Sequence, residues 1–136
     1  MTGFEILEHT ADVGIRATGD TLEQVFEQAT LGLVDIAGIA VDDSGEPILI
    51  DLEAGDAGAL LVDWLSEVLW LHDSRDSLVA SVEIESVSDG RVRGQVALSP
   101  RGERNPEGTQ VKAITYHRLR VEETPGGWLA EVYVDV

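Results

Sequence analysis

The chain has 136 residues, with 26 acids against nine bases and a net charge of −17. At that length, with 43% hydrophobic residues and no cysteine, it can bury a core as one domain without disulfides. Thiolate nucleophiles, zinc–thiolate sites and iron–sulfur clusters are excluded.

The acids are unevenly placed. Residues 1–90 hold 20 of them against only Arg16 and Arg75, while residues 91–136 hold six against seven bases. Such a surface repels phosphate, so unaided nucleic-acid binding is not expected and a basic protein partner suits it better. Excess acid with few lysines is also what a high-salt cytoplasm favours, because salt screens self-repulsion. No apolar run approaches the roughly 20 residues that span a bilayer. Met1–Glu5 lacks the basic-then-apolar order of a signal peptide. A cytoplasmic protein with no membrane partner is expected.

Phe4–Glu8 alternates imperfectly as a first strand, His9-Thr10-Ala11-Asp12 interrupts it, and Val13–Ala17 alternates as a second. Thr21 with Gln24 makes a capping box. Beyond it, Leu22, Val25, Phe26, Ala29, Leu33 and Ile36 keep helical spacing, which predicts an amphipathic helix over 22–37. Its solvent face would carry Glu23, Glu27 and Asp35, and Gly38 would stop it. An acidic turn, Asp42–Pro47, leads to a strand over 48–53, and Gly55 and Gly58 read as another turn. Ala59–Leu71 is apolar on most faces and predicts a second, more buried helix, closed by His72–Ser77. The period then becomes two: strands over 78–87 and 91–98 joined through Asp89-Gly90, a strong hairpin signal. After a polar loop from Ser99 to Gly108, strands over 116–122 and 128–136 flank the turn Thr124–Gly127. The order β-β-α-β-α-β-β-β-β is an α+β fold, a mostly antiparallel sheet packed against two helices in a single domain spanning 1–136.

No nucleophile elbow and no glycine-rich phosphate loop is present. Three stretches look unlike scaffold. His9–Gly14 breaks two strands, although His9 also reads as a turn histidine and Asp12 as an Asx-turn acid. Lys112 is the only lysine among nine bases. It reads either as a compact, rotatable ammonium or as a chance of composition. At the end, Asp135 and the carboxylate of Val136 stand together, either solvated or neutralised by a cation. With no thiolate available, an all-oxygen site suits calcium, magnesium or manganese before zinc.

His9-Thr10-Ala11-Asp12-Val13-Gly14-Ile15, Trp64-Leu65-Ser66-Glu67-Val68-Leu69, Lys112-Ala113-Ile114-Thr115-Tyr116-His117 and the ending Trp128–Val136 together resemble the signatures of the archease family, in the same order along the whole chain. The resemblance implies a protein cofactor rather than an enzyme. Its partner would be the RtcB-type RNA ligase of tRNA splicing, whose histidine is loaded with GMP from GTP for multiple turnover; tRNA would be met only through the ligase. The family's metal site would fall on Asp12, Asp135 and Val136, with calcium expected first and magnesium or manganese as alternatives. Its important lysine would fall on Lys112, with His9 and His117 beside it as partner-activating residues. The loop Pro100-Arg101-Gly102-Glu103-Arg104 departs from the family's acidic Gly-Glu start. Two other readings stand beside this one: a stand-alone metal-dependent phosphoester hydrolase using Asp12, Asp135 and His9, and a chaperone or modulator of RNA-modifying proteins.

Overall fold

The computed structural model describes residues 2–8, 12–37, 45–102 and 108–136, of Glu8 the backbone only. The expected turn or stop residues His9–Ala11, Gly38 and Asp42–Ser44, and positions 103–107 of the polar loop, lie outside the described residues. In chain order the elements are β1 (Gly3–Glu8), β2 (Asp12–Gly19), α1 (Leu22–Ala37), β3 (Glu46–Glu53), α2 (Ala57–Ser74), β4 (Ser77–Ser88), β5 (Arg91–Pro100), β6 (Ala113–Thr124) and β7 (Gly127–Asp135). This is the order read from the sequence, and the fold is α+β.

The strands divide between two sheets, β1-β2-β7-β6 and β3-β5-β4, and every pairing among the described residues is antiparallel. Alternation tells which face of a strand is apolar, not which sheet the strand joins. One core cluster draws on both sheets and both helices, with Ile15, Phe26, Trp64, Leu65, Val92, Val96 and Val132 essentially inaccessible to solvent. Each such side chain contributes about 1.5–3 kcal/mol through apolar surface removed from water.

Helix α1 starts as expected. The Thr21 hydroxyl accepts from Gln24 N at 3.2 Å, but the Gln24 side chain accepts from Asp20 N at 2.7 Å rather than from Thr21. Its solvent face is not as expected. Glu23 and Glu27 are half-buried, and their carboxylates accept from Val87 N and Ile84 N of β4, both at 3.0 Å.

Helix α2 begins earlier than the sequence suggested. Asp56 caps it, accepting from Ala59 N at 2.8 Å, so Gly58 is helical rather than a turn residue. A Cβ on Gly58 would stand 3.0 Å from Leu119 Cδ2 of β6, a close approach that explains glycine within the first turn. The helix also runs on through His72–Ser74. It is no more buried than α1: each holds seven buried positions, and Trp70 of α2 is 58% exposed. The two helices are tied by a buried relay in which Trp64 Nε1 donates to Thr30 Oγ1 at 2.9 Å, and that hydroxyl donates to Phe26 O at 2.7 Å.

Candidate functional site

In β2 and β7 the inward positions are Ile15, Ala17, Ala130, Val132 and Val134, all buried. Alternation therefore sends Asp12, Gly14 and Arg16 of β2, and Glu131, Tyr133 and Asp135 of β7, to the sheet's outer face. Register sorts these into rows across the strands. Asp12 stands directly opposite Asp135, which in turn faces Ala113. Gly14 faces Tyr133, which faces Thr115; Arg16 faces Glu131, which faces Arg120. Directly opposed residues place their Cβ atoms roughly 4.5–5.5 Å apart on one face, so the two aspartates are neighbours in space.

Lys112 immediately precedes β6 and is exposed, and its backbone N donates to Asp135 O at 2.8 Å. The preceding Val111 is 4% exposed and anchors the segment in the core beside a cavity of about 350 Å³ whose wall includes Leu33, Val68, His72 and Arg101. Val136 is half-buried against the core cluster. Asp12, Lys112, Asp135 and Val136, which are scattered along the sequence, thus gather at one corner of the four-stranded sheet. His9 lies outside the described residues.

The stretch over 116–122 was expected to alternate regularly. Instead, register passes from Thr115↔Tyr133 to Arg120↔Glu131, so Tyr116–Leu119 oppose the single residue Val132. Arg118 takes a φ of 54° within this bulge. Tyr116, His117 and Arg118 are exposed, while Leu119 turns in against α2. Bulges re-aim side chains in this way. The His117 ring meets the ring of Tyr133 edge-on, with centroids 6.1 Å apart at 73°.

The next row is electrostatic. Glu131, only 12% exposed in its side chain, accepts from Arg16 at 3.2 Å and from Arg120, while Arg16 also reaches Glu5 and Arg120 reaches Glu122. Burial pushes the Glu131 carboxyl up, but hydrogen bonds from Arg120 and Arg16, together with their charges, hold it below the ordinary range. On the other sheet, the hydrogen bond from Arg91 lowers the Asp51 carboxyl. Both shifts belong to cross-strand ion pairs, which perturb titration without marking a functional site.

The donor set at the corner is hard and anionic: carboxylates from Asp12 and Asp135, with Val136 next to the latter. That chemistry fits a calcium-, magnesium- or manganese-type ion held by oxygen. Among the described residues, no group of three or more histidine, cysteine, aspartate or glutamate side chains is placed to hold a metal ion. Among the described residues, a third protein ligand would have to be a main-chain or terminal oxygen. Sequence reasoning included Gly14 and Tyr133 within its motifs but gave neither a role. Their relation to each other is set only by the β2–β7 register.

The model of the archease protein family (MTH1598/TM1083) matches residues 4–136. Protein archease of Methanosarcina mazei is 36% identical over 139 residues, covering 98% of this chain and 95% of that protein. Protein archease of Pyrococcus furiosus is 36% identical with both chains covered in full. The solution structure of Methanobacterium thermoautotrophicum protein 1598 superposes with a TM-score of 0.83 at 31% identity, covering both chains entirely. The crystal structure of a Thermotoga maritima archease, described as a possible chaperone, shares the fold with a TM-score of 0.67 at 23% identity over 97% of this chain and 96% of that one. Matching motifs, fold and full-length similarity agree, and the chain belongs to the archease family.

Proposed function

We propose that this chain is an accessory protein that activates an RtcB-type RNA ligase in tRNA splicing, promoting transfer of GMP from GTP to the ligase histidine and so allowing multiple turnover. The observation that carries the reading is the corner of the four-stranded sheet: Asp12 opposite Asp135, with Lys112 tied to Asp135 through its backbone amide. Family membership supports it, and so does the strongly acidic surface, which would dock a basic partner more readily than RNA. The chain would meet tRNA only through the ligase and would work in the cytoplasm. Among the described residues no helix is long and apolar enough to cross a membrane.

Asp12, Asp135 and Val136 are the residues that would hold a divalent ion, calcium first, with magnesium or manganese as alternatives. When bound, the ion supplies positive charge that offsets the carboxylates and polarises phosphoryl oxygens. So small a protein donor set leaves room for water or for groups of the partner. Lys112, exposed on its buried Val111 anchor, acts as a point charge on a phosphate. His9 and His117 complete the partner-activating set.

The test is ligase guanylylation with Asp12→Ala, Lys112→Ala and deletion of Val136. Each variant should leave the ligase near single turnover, and normal multiple turnover from all three would sink the reading. Lys112→Arg should keep part of the effect if charge alone is needed. The Thermotoga maritima archease, described as a possible chaperone, favours a second reading, that of a chaperone. Affinity capture from lysate separates the two: one ligase partner supports the first, many clients the second.

A further inference from the structure

The outer face beside the aspartate pair carries an aromatic arrangement that the roles above leave unused. We propose that Tyr133, seated in the gap left by Gly14, is a positioning residue that holds the His117 imidazole on the sheet face shared by Asp12 and Asp135. The inference rests on the ligase-activation reading for its functional half.

Gly14 leaves no space for a side chain. A Cβ there would lie 2.8 Å and 2.9 Å from Cε2 and Cζ of Tyr133, and 3.0 Å from Leu7 Cβ. The tyrosine ring therefore rests on bare β2 backbone, which explains why a residue on the solvent side of the sheet is only 7% exposed. The ring also meets the edge-on ring of His117 at 6.1 Å, within the range favoured for aromatic pairs.

The backbone is tied as well. Thr115 Oγ1 donates to Tyr133 O at 2.8 Å and accepts from His117 N at 3.2 Å. The β6 bulge would otherwise leave His117 free to swing, with Arg118 in a left-handed conformation after it. Ring and hydroxyl together fix both its main chain and its side chain. Tyr133 lies two residues before Asp135 on the same face, a separation of about 6.6 Å along the strand. His117 is thus held beside the corner where the partner's phosphates are to be bound, and Gly14 is required because the ring needs the space.

Two readouts test this on the full-length protein: the His117 imidazole proton resonances, and stimulation of ligase guanylylation under multiple turnover. Tyr133→Phe keeps the ring and should leave both close to wild type. Gly14→Ala and Tyr133→Ala should each move the resonances toward those of a solvated histidine and lower stimulation by up to about 100-fold, the scale expected when a positioned group is misplaced by an ångström. Combined, the two changes should cost much less than the sum of their separate effects, because the two closest atoms the methyl group meets belong to the ring, with Leu7 Cβ next at 3.0 Å. In a His117→Ala background, Tyr133→Ala should cause no further loss, whereas a general structural role for the ring would cause one. Resonances unmoved by Gly14→Ala, additive losses, or variants that stimulate as well as wild type would overturn the positioning role. A wild-type chain with no effect on guanylylation would overturn the reading beneath it, and with it the functional half of the inference.

Discussion

Asp12 and Asp135 are direct cross-strand partners in the β2–β7 ladder, although they come from opposite ends of the chain. Like charges placed directly opposite destabilise a sheet, by about 0.2–1 kcal/mol at such a position. Without a cation, Asp135→Asn should therefore raise stability by that amount. With millimolar calcium the order should reverse, since an ion at 100 times its Kd adds about 2.7 kcal/mol to whichever chain binds it. Calorimetry in chelator and in calcium makes the comparison. A variant that gains as much from calcium as wild type does would show that Asp135 holds no ion.

Glu131 gives a pH dependence of definite sign. Its folded-state carboxyl titrates below the ordinary 4.5 because the two arginines outweigh burial. The folded protein therefore binds fewer protons than the unfolded chain in acid. The stability Glu131 contributes is fully present above pH 4.5 and is lost as pH falls through the unfolded and then the folded value. Glu131→Gln should flatten this part of the acid unfolding curve and cost about 1–3 kcal/mol near neutrality, where Arg16 and Arg120 lose a charged acceptor. Urea unfolding at a series of pH values measures both effects.

The relay from Trp64 through Thr30 to Phe26 predicts a comparable effect in the core. Thr30→Val preserves shape but leaves the indole N–H buried with no acceptor, so it should cost about 1–3 kcal/mol. Trp64→Phe removes the donor and should relieve part of that penalty in the double variant. The ring is also confined by Gly94, where a Cβ would come within 3.0 Å of Trp64 Cη2. Additive losses in the double-mutant cycle would show that the hydrogen bond is not the coupling.

What the sequence disclosed depended on distance along the chain. The Asp89-Gly90 hairpin was legible because two adjacent residues carry it, and both take positive φ, 53° and 73°. Helix α1 was legible to its first and last residue because six apolar positions repeat the helical period. Gly58 misled because glycine signals a turn unless a distant side chain, here Leu119, needs the space. The aspartates, Lys112 and Val136 could be singled out by residue type, but their meeting depends on the β2–β7 and β6–β7 registers. Alternation in Tyr116–Glu122 concealed the bulge entirely, since an inserted turn of chain leaves no mark on a pattern of apolar and polar letters. Nor could the sequence show that Tyr133 packs on Gly14, since that contact also depends on the β2–β7 register.

The glutamates of α1 lead to a prediction about association. Strand β4 lies at one edge of the three-stranded sheet, and an exposed edge offers unpaired N–H groups to any other strand. Glu27 and Glu23 take two of these, from Ile84 and Val87, on either side of the register shift between Ile84 and Ser86. They therefore fasten α1 to the sheet and close its edge with negative charge. Charge-assisted bonds of this kind contribute about 1.5–3 kcal/mol each. Glu23→Ala/Glu27→Ala should lose stability of that order, speed amide exchange at Ile84 and Val87, and self-associate with rising concentration. Glu23→Gln/Glu27→Gln keeps the acceptors without the charge and should restore protection while remaining more prone to association. Exchange measured by NMR with sedimentation velocity resolves these outcomes. Unchanged protection in the alanine pair would mean that the edge is closed by packing alone.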